Sequence, residues 1–175
     1  MIRLLTLALM LFIGSATIVD FTPDSELSQW RVVDDGVMGG RSAGDLYLND
    51  EGHAVFTGRV SLENNGGFSS IRHRFRTKDV EAYDAIVLYI KGDGKRYQFR
   101  VKESTRDYHS YSTYFSTTGV WQVIEIPFST LSPQFRGRKL PMPNFAGQDM
   151  QELAFLIGNK TAESFRLEID KIELR

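Results

Sequence analysis

Apolar and polar positions alternate with a period of two through most of this chain, and Gly, Asn, Asp and Pro cut the alternation at short intervals. A period of two puts successive side chains on opposite faces of an extended strand, and those four residues build tight turns. Residues 17–21 predict a first strand, and the polar stretch after it, up to Trp30, has room for one helical turn. Residues 45–48 and 53–60 flank Asn49-Asp50-Glu51-Gly52 and read as a β-hairpin. Residues 85–90 are apolar throughout, the pattern of a strand buried on both faces. They lead through Gly92-Asp93-Gly94 into residues 96–102, which reads as a second hairpin. Residues 111–115, 121–126, 153–157 and 165–173 supply further strands, and no long helical period occurs. Many short strands with frequent turns predict an all-β fold, an antiparallel sandwich or jelly roll.

Three segments break this rhythm. Asp34-Asp35-Gly36-Val37-Met38-Gly39-Gly40-Arg41-Ser42 and Asn64-Asn65-Gly66-Gly67-Phe68-Ser69-Ser70 are polar and glycine-rich. Such loops on a β scaffold serve as tight turns or as places where a ligand approaches the backbone. The third segment lies between the strands ending near 126 and beginning near 153, and holds Pro127, Pro133, Pro141 and Pro143. Proline keeps it out of a central strand. Its Phe135-Arg136-Gly137-Arg138 reads either as a recognition lip or as part of a crossover packed over one end of the sandwich.

Composition narrows the function classes. At 175 residues the chain has enough length for one ordinary domain. A formal net charge of -1 gives no global attraction to nucleic acid. Without cysteine there is no disulfide, thiolate metal site or cysteine nucleophile. Residues 1–16 have a short positive start, an apolar run and small residues at 14–16, the order of a secretory signal peptide. Cleavage there leaves one domain, 17–175, outside the cytoplasm and without a membrane span. An uncleaved anchor is the minority reading.

Candidate chemistry is sparse. Gly40-Arg41-Ser42-Ala43-Gly44 fits the G-x-S-x-G of a hydrolase nucleophile elbow, but that motif needs a strand before the serine and a helix after it. Here a glycine-rich loop precedes and an alternating strand follows, so Ser42 is a turn residue. Asp34 and Asp35 are sequential neighbours, whose side chains point apart, and are expected to hydrogen-bond nearby backbone amides. His53, His73 and His109 have no metal-ligand spacing, and no loop matches the EF-hand pattern. No cofactor, metal or catalytic residue is therefore expected. Arg72, Arg74 and Arg76 alternate with apolar positions, as do Arg96, Gln98, Arg100 and Lys102. If the two strands share a sheet face they make a cationic surface suited to carboxylate or phosphate. The favoured reading is internal neutralisation, with Glu168 and Asp170 as the partners. Asn159-Lys160-Thr161 is a glycosylation sequon.

Several of these segments, taken together, resemble one family. Residues 30–42, with Trp30 leading into Asp34-Asp35-Gly36 and Gly39-Gly40-Arg41-Ser42, resemble the signature of the complex I intermediate-associated protein 30 family. Gly67-Phe68-Ser69-Ser70-Ile71-Arg72, Tyr83-Asp84, Gly119-Val120-Trp121-Gln122, Phe135-Arg136-Gly137-Arg138 and Leu156-Ile157-Gly158-Asn159-Lys160 follow in the family's order. The resemblance implies a galactose-binding-like β-sandwich and a non-enzymatic module for assembling a membrane-associated protein complex. A carbohydrate-binding module is the alternative, with Tyr47, Tyr97, Tyr108 and Tyr111 as exposed aromatics. The binding candidates are Trp30, Asp34, Asp35, Gly36, Met38, Gly39, Gly40, Arg41 and Ser42 in the first loop. Asn64, Asn65, Gly67 and Phe68 belong to the second, Arg72 and Arg100 to the strands, and Phe135, Arg136, Arg138 and Asn159 to later turns.

Overall fold

The computed structural model describes residues 14–175, so the expected leader lies almost wholly outside the described residues, as do the side chains of Val37 and Met38. Among the described residues thirteen strands run in chain order: β1 (Ala16–Asp20), β2 (Trp30–Asp34), β3 (Ala43–Leu48), β4 (Ala54–Val60), β5 (Ser69–Asp79), β6 (Ala85–Lys91), β7 (Arg96–Lys102), β8 (Ser110–Ser116), β9 (Trp121–Pro127), β10 (Ser132–Phe135), β11 (Arg138–Lys139), β12 (Asp149–Ile157) and β13 (Glu163–Leu174). They form two sheets. Sheet I has the order β3-β4-β13-β6-β9, with β1 also paired to β13, and sheet II has the order β11-β10-β8-β7-β12-β5-β2.

The alternation read from the sequence is the alternation of burial. Phe56, Ile86, Leu88 and Leu167 from sheet I meet Ile71, Tyr97, Phe99, Leu153 and Phe155 from sheet II, all fully buried. Each such side chain contributes roughly 1.5–3 kcal/mol by leaving water. Phe99 and Phe155 face each other edge-on at 5.2 Å across β7 and β12. Residues 85–88 and 90 of β6 are buried, as its unbroken apolar run requires.

Three expectations change. The Gly92-Asp93-Gly94 link is not a hairpin: β6 pairs with β9 and β13 in sheet I, whereas β7 pairs with β8 and β12 in sheet II. The turn residues reverse the chain, but they carry it from one sheet to the other. The stretch before Trp30 forms turns and not a helical turn. The proline-rich segment holds a short edge hairpin, β10–β11, where Pro133 lies opposite Tyr111. Proline is tolerated there because only the two-residue β11 pairs beyond it. Among the described residues no helix is long and apolar enough to cross a membrane.

Candidate functional site

The two glycine-rich loops meet on one carboxylate. Asp35 opens a short 3-10 turn, Asp35–Met38, directly after β2, and is fully buried. Its oxygens accept from the Ser42 amide at 3.0 Å, the Ser42 hydroxyl at 2.5 Å, the Gly67 amide at 2.6 Å and the Phe68 amide at 3.2 Å. Burial works against its charge, but these donors outweigh burial and hold the carboxyl below its ordinary range. Glycine is required around it by space: a Cβ on Gly40 or Gly66 would overlap the Asp35 side chain. Asn64, in the left-handed region at φ 54, adds a bond from Nδ2 to the Gly39 carbonyl at 3.0 Å. The exposed Arg41–Glu63 pair at 3.0 Å closes the same seam and adds little.

Asp34 points elsewhere. It accepts from the Ser69 hydroxyl at 2.5 Å and the Gly44 amide at 3.0 Å, which fastens β2 of sheet II to β3 of sheet I. Both carboxylates therefore serve backbone and hydroxyl donors, as the sequence implied. Ser42 donates its hydroxyl to Asp35 and accepts from the Ser61 amide at 3.0 Å. Its oxygen is tied down inside the loop junction, and β3 follows where a nucleophile elbow needs a helix.

Beside this junction lies a cavity of about 430 Å³, bordered by Asp34 and Gly36 from the loop and by Gln29, Arg31, Arg72 and Arg74. It opens onto the outer face of sheet II. There Arg31, Arg72, Ala154, Arg100, Ser112 and Ser132 stand in one cross-strand row, each opposite the next. The neighbouring row holds Arg74, Glu152 and Lys102. β5 and β7 thus share a face, with β12 between them. The expected neutralisation by Glu168 and Asp170 does not occur, because both belong to β13 in sheet I. Glu168 is 3.1 Å from Arg166 instead.

The counter-charge on the sheet II face is Glu152, nearly buried and bonded by Arg74 Nε at 2.7 Å. The sequence reading missed it, because the strand expected there begins at residue 153 whereas β12 begins at Asp149. Arg100 Nε donates to Gln98 Oε1 at 2.6 Å. Burial first, and then the neighbouring Arg72, push the Arg100 guanidinium down to about 10. Burial lowers Lys102 as well, with Glu152 opposing and Arg72 reinforcing the shift. Lys102 Nζ donates to the Asp107 carbonyl at 2.5 Å, so both cations have neutral acceptors and neither has an ion-pair partner among the described residues.

The remaining candidates are dispersed. Trp30 turns toward the core and stacks on His73 at 4.6 Å. Gly39 ends the 3-10 turn with φ 84, and Asn65 is exposed with φ 59. Phe135 and Arg138 pair across a two-residue turn in which Arg136 and Gly137 both have positive φ, at the far edge of sheet II from the first loop. Exposed Tyr108 meets Phe135 edge-on at 5.3 Å, and Arg136 covers the Phe135 ring at 5.3 Å. Asn159 joins the Arg96 carbonyl to Glu163, both at 3.0 Å, as a structural link. Tyr97 and Tyr111 are buried, so neither offers an exposed ring, whereas Tyr114 is exposed under Arg96 at 4.4 Å.

Residues 19–169 match the sequence profile described as Complex I intermediate-associated protein 30. The chain is 27% identical to the mitochondrial Complex I intermediate-associated protein 30 of Drosophila melanogaster, over 69% of this chain and 48% of that protein. It is 27% identical to the Mus musculus protein of the same name, over 87% of this chain and 53% of that one. The chain thus spans about half the length of these relatives. Among solved structures, a family 11 carbohydrate-binding module from Clostridium thermocellum, in complex with a mixed-linked tetrasaccharide, superposes with a TM-score of 0.67 at 17% identity. That match covers 92% of this chain and 95% of the module, and it establishes the sandwich architecture alone.

Proposed function

Because the chain belongs to the complex I intermediate-associated protein 30 family, we propose that it is a non-enzymatic protein-binding module acting in assembly of a membrane-associated complex of that type. The family match over residues 19–169 carries this reading. The site chemistry supports it. Asp34, Asp35 and Ser42, the groups in the signature loop that resemble catalytic residues, are each committed to holding loops together. What faces solvent beside them is an extended cationic sheet, suited to a surface partner. The composition of residues 1–16 leads us to place the chain outside the cytoplasm, which N-terminal sequencing of the fractionated protein tests.

Affinity capture from detergent-solubilised membranes is the direct experiment. The tagged full chain is expected to retain a defined set of complex subunits, and capture of none above a tag-only control would overturn the proposal.

A second reading, glycan binding, rests on the likeness to the carbohydrate-binding module and on exposed Tyr114 beside the polar sheet face. Saccharides are expected on an array, with and without calcium, only if that reading holds.

A further inference from the structure

The unbalanced charge on sheet II identifies the chemistry of the partner. We infer that the outer face of sheet II, from β2 to β8, docks an extended acidic segment of a partner protein, whose carboxylates meet Arg31, Arg72 and Arg100. This rests on the protein-binding reading above and adds the place and the chemistry.

Three observations carry it. The first is supply. The carboxylate that the register places on this face, Glu152, is already held by Arg74, and no ion pair engages Arg31, Arg72 or Arg100 among the described residues. A guanidinium presents a planar fork of donors that matches a carboxylate. Arg31 is exposed, Arg72 half-buried, and half-buried Arg100 keeps its terminal nitrogens for a partner while its Nε is held by Gln98.

The second is spacing. Arg31 and Arg72 lie on adjacent strands and Arg72 and Arg100 two strands apart, so their Cα atoms are about 5 and 10 Å apart at ordinary strand separation. Same-side residues of an extended peptide recur every ~7 Å. Long arginine side chains span that difference, and Arg72 and Arg100 flank the small, buried Ala154 of β12.

The third is shape. The row runs into the cavity beside β2, the last strand of the sheet, which gives one end of the segment a recess. The row from Arg31 to Ser132 itself holds no aromatic ring: Tyr97 and Tyr111 face the core, and exposed Tyr114 stands in a separate row, opposite Gln98 and under Arg96.

Fluorescence anisotropy of a labelled oligoglutamate peptide against the full chain tests this at low ionic strength. Arg72→Gln is expected to weaken binding by roughly tenfold, as loss of a charge-assisted bidentate contact does. The double variant Arg31→Gln/Arg72→Gln should abolish it. Arg59→Gln removes the same charge from an exposed site on sheet I and should change little. Unchanged thermal midpoints confirm that the variants fold, and Arg72→Lys should recover less than full affinity because it lacks the fork.

Equal losses in Arg72→Gln and Arg59→Gln, or no oligoglutamate binding, would overturn the inference. So would binding of oligogalacturonate without oligoglutamate, which hands the face to an acidic glycan. In the membrane capture, a double variant that keeps the partner fails this surface and leaves the protein-binding reading intact. A wild-type chain that captures nothing fails that reading itself, whatever the peptide assay reports.

Discussion

Asp35 keeps a full charge away from water because three backbone amides and a hydroxyl are aimed at it. Replacing it by Asn puts an amide donor or a weaker acceptor where those donors converge. Asp35→Asn is expected to cost about 3 kcal/mol, since bonds to a charged acceptor are individually strong and their donors would be stranded. Asp34→Asn, with two donors to lose, should cost less. Urea titrations read both as midpoint shifts at constant slope. The acid limb gives the sign a second check. Asp35 titrates below its ordinary 3.8 in the folded chain, so its stabilisation is present above that value and is lost as pH falls below it, through the lower pKa of the folded state. Asp35→Asn should flatten that limb. The capping role was legible from two neighbouring carboxylates beside glycines. The second loop's part in it was not, because residues 67 and 68 reach Asp35 only through the tertiary fold.

At the level of elements, Gly92-Asp93-Gly94 explains both how much topology the sequence disclosed and where it stopped. Strand positions follow from alternation and turn chemistry, which are local. Partner choice is decided by long-range burial. β6, apolar on both faces, lies between β13 and β9, while β7, with one polar face, lies between β12 and β8. Asp93 then fastens the crossing: it accepts from the Tyr97 hydroxyl, from the Arg166 amide at the start of β13, and from Lys95, each at 3.0 Å. Asp93→Ala would strand the hydroxyl of a fully buried tyrosine and is expected to cost about 2 kcal/mol. Tyr97→Phe removes the donor itself and should cost less than half as much. A double-mutant cycle by thermal unfolding separates the pair term, and additive losses would mean the crossing is held by packing alone.

Across the whole molecule, charge is segregated although the chain is nearly neutral at -1. On sheet I and its edge the charges pair, as in Arg166–Glu168 at 3.1 Å, Lys171–Glu173 at 2.9 Å and Arg175–Glu125 at 2.6 Å. On sheet II Arg74 pairs with Glu152 at 2.7 Å, while Arg31, Arg72 and Arg100 have no ion-pair partner among the described residues. This was half visible in sequence: the alternating arginines of β5 and β7 were plain, but their shared face depends on β12 lying between them. Glu152 therefore becomes an informative position, because it sets how much of the face's charge is already spent. Glu152→Gln keeps the shape, releases Arg74, and makes the face one charge more positive. It should tighten oligoglutamate binding by a few-fold, roughly threefold at low salt, through the electrostatic part of association. The gain should shrink as ionic strength shortens the screening length toward about 8 Å. A purely structural Glu152 would show only a lower unfolding midpoint, with peptide affinity unchanged. Affinity that rises while stability falls would mark this carboxylate as a brake on the surface, because the same ion pair that steadies β12 competes with an incoming acidic chain for Arg74.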